Sequence, residues 1–265
     1  MHSELILQSS FALITGASKG IGRAIATELA SRKNNILLVA RSESLLLELS
    51  EAIRKDYGVE CHFLTIDLSN EEAAAKIYDW CILNGYVITI LVNNAGYGLS
   101  GGFDSRPLRE HVDMINVNII SSVKLIHLFL PQLKQQKKAY ILNIGSSAAY
   151  QSVPFLSGYA ASKSFIVSFS RALSYELHSS NISVTVVSPG VTDTEFAIRA
   201  NVPEKGLRTA EKISMKPEQV AKIAVESMLK EKTEVIAGFF TKATTFFVKL
   251  LPKKFVEKTA AKFYQ

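Results

Sequence analysis

Short apolar runs alternate along this chain with longer stretches in which apolar residues recur every three or four positions. The runs are Ser10 to Thr15 (SFALIT), Asn35 to Ala40 (NILLVA), Glu60 to Ile66 (ECHFLTI), Val87 to Val92 (VITILV), Ala139 to Ile144 (AYILNI) and Asn181 to Ser188 (NISVTVVS). Glu234 to Ala237 (EVIA) is a shorter candidate. Such runs, bounded by glycine, asparagine or proline, predict buried strands. Between them, Ala24, Ile25, Ala26 and Leu29 keep helical spacing, as do the leucines of Ser42 to Lys55, and Glu71 to Leu83 forms a third helix. The longest helical stretch is Arg109 to Gln135, with Val112, Ile115, Ile119, Val123, Ile126 and Leu130 on one side; Pro131 ends or bends it. Strand and helix alternate from residue 10 to residue 190. That order predicts an α/β fold, a doubly wound domain whose mostly parallel sheet of about seven strands carries helices on both faces.

Two segments depart from the alternation. Val191 to Ser214 is polar and weakly patterned, a natural lid over strand ends. After it, Lys216-Pro217-Glu218 starts a helix bearing Val220, Ile223, Ala224 and Met228. The tail, Phe239 to Gln265, interleaves Phe246, Phe247, Leu250, Leu251, Phe255, Val256 and Phe263 with lysines, and Pro252 divides it into two helices. We therefore expect residues 1–238 to form the main domain and residues 239–265 a basic amphipathic tail. Such a tail lies on a membrane surface, or packs on its own domain or a partner subunit.

Composition narrows the function. With 48% hydrophobic and 20% charged residues the chain reads as globular. Its net charge of +6 is concentrated: Lys230 to Gln265 holds eight lysines and three acids, 8 − 3 = +5, so the body is nearly neutral. The basic residues lack an aromatic platform, so no nucleic-acid groove is expected. Cys61 and Cys81 supply neither a disulfide framework nor a metal cluster, which points to a cytoplasmic protein with no metal. The N-terminus lacks the basic region of a signal peptide. The uncharged runs Trp80 to Phe103 and Ala139 to Ser162 are broken by Asn, Gly and Ser and do not read as membrane spans.

The first strand leads into TGASKGIG, Thr15 to Gly22, and then a helix. Strand, glycine turn and helix form the context of a Rossmann-type dinucleotide site. The glycines Gly16, Gly20 and Gly22 admit a pyrophosphate, and the helix start offers unpaired N–H groups. The spacing is GxxxGxG. At the end of the second strand an acid would accept from a ribose 2′-hydroxyl. Here Ala40, Arg41 and Ser42 follow instead. With Lys19 and Arg41 both placed to meet a 2′-phosphate, NADP is favoured over NAD unless both are only solvated surface charges. Asp67 closes the third strand, where it accepts from an adenine amino group, caps the next helix, or does both. The fourth strand runs into NNAG, Asn93 to Gly96, where an open α/β sheet binds ligands; its asparagines also brace the turn.

Tyr159 and Lys163 stand one helical turn apart in SGYAASKSFIVSFSR. An ammonium beside a phenol favours the phenolate and brings it toward acid–base work near neutral pH. By itself the spacing also fits a core tyrosine and a solvated lysine. Ser146 precedes Tyr159 by a loop containing Pro154 and Gly158, which allows a return to the same sheet edge. Asn118, within the long helix, is a kink, a water site or an exposed bystander.

Taken together, TGASKGIG, NNAG, Asn118, Ser146, Tyr159-x-x-x-Lys163 and Pro189-Gly190 resemble the short-chain dehydrogenase/reductase family in its shorter, single-domain branch. The resemblance covers Ser10 to Thr194 closely and the tail loosely. It implies hydride transfer between NADP(H) and a carbonyl or secondary alcohol. Tyr159 would be the acid or base, Lys163 its partner and a ribose ligand, Ser146 the group on the carbonyl oxygen, and Asn118 the holder of a relay water. Gly16, Ser18, Gly20, Ile21 and Gly22 would form the phosphate loop and Asp67 and Leu68 the adenine contact. Asn93, Ala95 and Gly96 would lie behind the cofactor, and Pro189, Gly190, Thr192 and Thr194 around the nicotinamide. The TGASKGIG loop, NVNI and Leu130-Pro131 resemble reductases of 3-ketoacyl chains and hydroxysteroid dehydrogenases, and the tail would suit a long apolar substrate met at a membrane. The family implies a homodimer or homotetramer built through the Arg109 to Gln135 and Ser157 to Leu177 helices. A nucleotide-sensing regulator on the same scaffold is the rival reading.

Overall fold

The computed structural model describes residues 10–192, 200 and 214–264. Seven strands form one sheet: β1 (Ser10–Thr15), β2 (Asn35–Ala40), β3 (Cys61–Thr65), β4 (Val87–Asn93), β5 (Ala139–Ile144), β6 (Ile182–Pro189) and β7 (Glu234–Ala237). Their order is β3-β2-β1-β4-β5-β6-β7, and every neighbouring pair is parallel. The chain leaves β1 in one direction for β2 and β3 and returns on its other side for β4. A crevice therefore opens beyond the carboxyl ends of β1 and β4, where such sheets bind ligands.

Both faces of the sheet are covered, which is why its strands read as continuous apolar runs. Along β1, Ala12 and Ile14 point to one core and Phe11 and Leu13 to the other. The first core takes Ile25 and Leu29 from α1 (Gly20–Ser31), Leu46 and Ile53 from α2 (Glu43–Tyr57), and Val225 and Met228 from α7 (Pro217–Leu229). The second takes Ile77 from α3 (Ala73–Leu83) and Phe129 and Leu133 from α5 (Ser121–Lys134). Side chains of this size stabilise the fold by roughly 1.5–3 kcal/mol each when removed from water.

The stretch expected as one helix over Arg109 to Gln135 is α4 (Leu108–Ile115), a π turn over Asn116–Ile120, and then α5. Pro131 lies inside α5, which continues to Lys134. The rod Leu108–Lys134 is long and apolar enough to cross a membrane, but Leu125, Ile126, Phe129 and Leu133 bury one side of it in the domain core. α6 (Ser157–Glu176) carries Tyr159 and Lys163, both buried.

Pro252 divides the tail as expected, into α8 (Phe239–Leu250) and α9 (Lys253–Tyr264). α8 rests on β7 and on the 3-10 turn Ser147–Tyr150. α9 buries Val256 and Ala260, and Ala260 packs in a small cluster with Met114, Val153, Leu156 and Tyr159. Most of the expected lid over Val191 to Ser214 lies outside the described residues.

Candidate active site

The glycine loop is sewn to the turn after β4. Thr15 Oγ1 donates to the Val92 carbonyl at 3.2 Å and accepts from the N–H groups of Asn94 (3.1 Å) and Ala95 (3.2 Å). The Asn94 amide donates back to the carbonyls of Thr15 (2.9 Å) and Gly16 (3.1 Å). Gly16 has φ +64, and a Cβ there would lie 2.8 Å from Ala95 Cα. At Gly22 a Cβ would collide with the Gly16 carbonyl and the Asn94 amide. Glycine is therefore required at both positions by the crossing of two backbone turns.

Beyond this seam lies a cavity of about 910 Å³. The loop residues Ser18, Lys19, Gly20 and Ile21 form part of its wall, so the first turn of α1, whose N–H groups have no intrahelical acceptors, borders it. At one end stand Arg41, Asp67 and Leu68. Arg41 Nη1 is 3.4 Å from Asp67 Oδ2, and Asp67 Oδ1 accepts from the N–H and hydroxyl of Ser69, both at 2.9 Å. Partial burial alone would raise the Asp67 carboxyl, but the Ser69 donors and the Arg41 guanidinium together hold it below the usual carboxylate value. Asp67 thus closes its own turn, orients Arg41 and borders the cavity.

Elsewhere along the cavity wall stand Ser146, Tyr159 and Lys163. Ser146 follows β5, and its Oγ accepts from the Ala148 N–H at 3.1 Å, starting the 3-10 turn Ser147–Tyr150. With that lone pair used, its own O–H can donate into the cavity. Tyr159 and Lys163 reach the cavity from α6. Lys163 Nζ donates to the Ile144 carbonyl at 2.8 Å and lies 5.9 Å from the centre of the Tyr159 ring. Burial lowers the Lys163 ammonium to about 8.

Asn118 sits just behind. Its Oδ1 accepts from the Tyr97 N–H at 3.0 Å, and its Nδ2 donates to the Tyr97 carbonyl at 3.0 Å and to Ser162 Oγ at 2.9 Å. Ser162 in turn donates to the Tyr159 carbonyl at 2.7 Å. The side chain is buried, which removes the exposed-bystander reading, and it ties the π turn to Tyr97, just after the NNAG segment, and to α6. Gly96 is needed beside it, because a Cβ there would stand 3.1 Å from Asn118 Oδ1 and 3.2 Å from Lys163 Nζ.

Of the residues expected at the site, Gly22, Asn93 and Asn118 do not line the cavity. Asn93 is buried, its amide donating to Asn143 Oδ1 at 2.9 Å; Asn94 holds the loop and reaches the cavity instead. Pro189, Gly190 and Thr192 line it, with Thr192 Oγ1 donating to the Gly190 carbonyl at 3.3 Å. Thr194 lies outside the described residues. Sequence reasoning missed the wall supplied by the tail: Val248 from α8, Leu251, and Phe255, Val256, Ala260 and Phe263 from α9. The signal available for it was an apolar, aromatic tail with no assigned partner. No group of His, Cys, Asp or Glu suited to a metal occurs among the described residues.

The cavity fits a dinucleotide. It has the volume of a cofactor-sized site, a glycine-lined helix start for phosphates, a cation at the far end of β2, and a polar cluster elsewhere on its wall. The family model described as short chain dehydrogenase matches residues 10–205. Hydroxysteroid dehydrogenase-like protein 1 of Gallus gallus is 38% identical over 198 residues, 74% of this chain and 59% of that protein. Very-long-chain 3-oxoacyl-CoA reductase of Anas platyrhynchos is 38% identical over 194 residues, 71% of this chain and 61% of that one. The match thus spans about three-fifths of the length of these curated relatives. Among solved structures, a 7beta-hydroxysteroid dehydrogenase superposes with a TM-score of 0.85 at 27% identity, covering 95% of this chain and 96% of that one. A short-chain dehydrogenase from Sphingobium yanoikuyae in complex with NADPH gives 0.81 at 28% identity, covering 91% and 92%. The chain therefore belongs to the short-chain dehydrogenase family, oxidoreductases that bind a nicotinamide cofactor.

Proposed function

We propose that this protein is an NADP(H)-dependent reductase of a ketone carried on a lipophilic substrate, such as a 3-ketoacyl chain. The observation that carries the reading is the composition of one cavity. Ser146, Tyr159 and Lys163 all line it, and so do apolar residues from Val153 and Leu156 to Phe255 and Val256. A carbonyl can sit against the hydroxyls while its chain runs along the apolar wall.

A bound nicotinamide supplies the hydride in such chemistry. The chain's own residues do the rest. The Ser146 O–H donates to the carbonyl oxygen and polarises it. The Tyr159 O–H, fixed by the packing of α6, gives that oxygen its proton. Lys163, held by the Ile144 carbonyl, favours the phenolate that remains, because a cation in a site shielded from water acts at short range with little screening. Asn118 keeps α6 in register with the NNAG turn. In the reverse direction Tyr159 accepts the proton from a carbinol.

NADP is favoured by Arg41 and Lys19 at the adenosine end, together with the absence of an acid after β2. Arg41 is already oriented by Asp67. The names of the curated relatives support ketoacyl or hydroxysteroid substrates for this chain. Exposed apolar residues on α4 and α6, among them Val112, Ile115 and Phe165, support a homodimer or homotetramer through those helices.

Titrating the purified protein with NADPH and NADH, read by the fluorescence of the reduced nicotinamide, tests the first half. Following NADPH oxidation with 3-ketoacyl thioesters and with ketosteroids tests the second. Tight NADPH binding, weak NADH binding and turnover of at least one class are expected. Preference for NADH would overturn the cofactor assignment. Tight NADPH binding without turnover on any lipophilic ketone would overturn the substrate assignment and favour the nucleotide-sensing regulator.

A further inference from the structure

The first of the two tail helices is built inside out. In α8 two threonines face the protein: Thr245 is 5% exposed, and Thr241 lies against Gly190. The other side carries Phe239, Phe240, Phe246, Phe247 and Leu250, between 60% and 81% exposed. A helix on a water-soluble surface shows the opposite arrangement. Five large apolar residues on one short helix form a patch of the kind that marks a docking surface.

Two observations say what covers it. The first is charge. In α9, Lys254, Lys258 and Lys262 recur every four residues, share one side of the helix and are exposed, and Lys242 and Lys253 are exposed close by in the sequence. Residues 239–265 hold six lysines and one acid, 6 − 1 = +5. Exposed aromatics beside a lysine stripe match the two layers of an anionic bilayer surface, acyl chains below and phosphates above. A second copy docking by the same patch would bring its own lysines against these. The second observation is continuity. Leu251, Phe255 and Phe263 are exposed and also line the cavity, so apolar side chains of the tail belong to the surface and the site at once.

We propose that α8 and α9 seat on the surface of an anionic lipid bilayer and that the cavity opens toward it, so that a lipophilic ketone enters from the lipid. The route of entry rests on the ketone-reductase reading; the docking does not. Phe246 and Phe247 enter the headgroup region, the lysines meet lipid phosphates, and Leu251, Phe255 and Phe263 form the threshold between bilayer and cavity.

Flotation of the full chain with vesicles of phosphatidylcholine alone, or with phosphatidylglycerol added, tests the docking. Binding is expected on the anionic vesicles, weakening as salt screens the lysines. Phe246→Asp together with Phe247→Asp should abolish it while leaving NADPH affinity unchanged, since neither residue lines the cavity. Lys254→Gln, Lys258→Gln and Lys262→Gln together should weaken it at least about tenfold. Failure to float with anionic vesicles, equal flotation with neutral ones, or flotation indifferent to the double Asp variant would each overturn the proposal. So would a solution dimer that the double Asp variant splits, since the patch would then belong to a second copy. None of these outcomes touches NADPH binding or turnover of a soluble ketone, so the docking can fail while the reductase reading stands.

Discussion

Lys163 Nζ donates to the main-chain carbonyl of Ile144 at 2.8 Å, and Ile144 ends the strand that delivers Ser146. One hydrogen bond therefore ties the lysine of α6 to the strand end from which Ser146 follows. The lysine is held in place as well as charged, and its position is set by the sheet.

That position makes its titration visible. Burial lowers Lys163 from the ordinary lysine value of 10.5 to about 8, so the folded chain holds this proton less tightly than the unfolded one. Reductive turnover should fall as pH rises through about 8, where the ammonium is lost. Stability moves the other way. The cost of burying the cation is full below about 8 and is relieved as pH climbs toward 10.5, so this residue's contribution to stability rises over that window. Urea unfolding of the wild-type chain and of Lys163→Met across that range checks the sign; the methionine variant should lose the slope.

Tyr159→Phe removes one oxygen from a buried, well-packed ring. NADPH should bind as before and turnover should drop by about 10²–10⁴-fold, the usual worth of a positioned proton donor. Fluorescence titration beside steady-state rates separates the two effects.

Replacing Arg41 by Ala should weaken NADPH by about ten- to a hundredfold, the scale of hydrogen bonds to a charged group, and leave NADH little changed. Equal losses for both cofactors would mean that Arg41 serves only to hold Asp67.

Gly22→Ala places a methyl group against the Gly16 carbonyl and the Asn94 amide. Overpacking of this kind costs about 1–3 kcal/mol, which thermal unfolding should show as a midpoint lowered by several degrees. Cofactor affinity should fall with it, because the same seam shapes the phosphate loop.

Cys61 and Cys81 are buried, and burial pushes both thiols up to about 12. At pH 8 almost no thiolate is present, so Ellman's reagent should react with neither until the chain is unfolded.

The sequence showed the strands plainly, because a sheet covered on both faces must be apolar throughout, and β5 and β7 fall where AYILNI and EVIA place them. It also showed Tyr159 and Lys163, because helical spacing puts them on one side of α6. It did not show the π turn at Asn116–Ile120. That turn goes with bonds from Asn118 to Tyr97 and Ser162, partners remote in sequence. The separate roles of Asn93 and Asn94 were hidden for a similar reason. Only the register of β4 against β5 reveals that Asn93 meets Asn143 while its neighbour faces the glycine loop. The tail's part in the cavity was hidden most deeply. Its apolar pattern was legible, but which side faces inward depends on the 3-10 turn and β7 beneath it.

The cavity's wall is written in separate stretches of chain, the glycine loop, Arg41, Ser146 and the Tyr159–Lys163 pair before β6 and much of the apolar part after Gly238. A substitution at Val256 or Ala260 can alter which molecule fits without disturbing Gly16, Arg41 or Lys163. On the proposed reading, selection can retune what is reduced while leaving the source of electrons untouched, and a graft of α8 and α9 from another member of the fold should carry substrate preference with it.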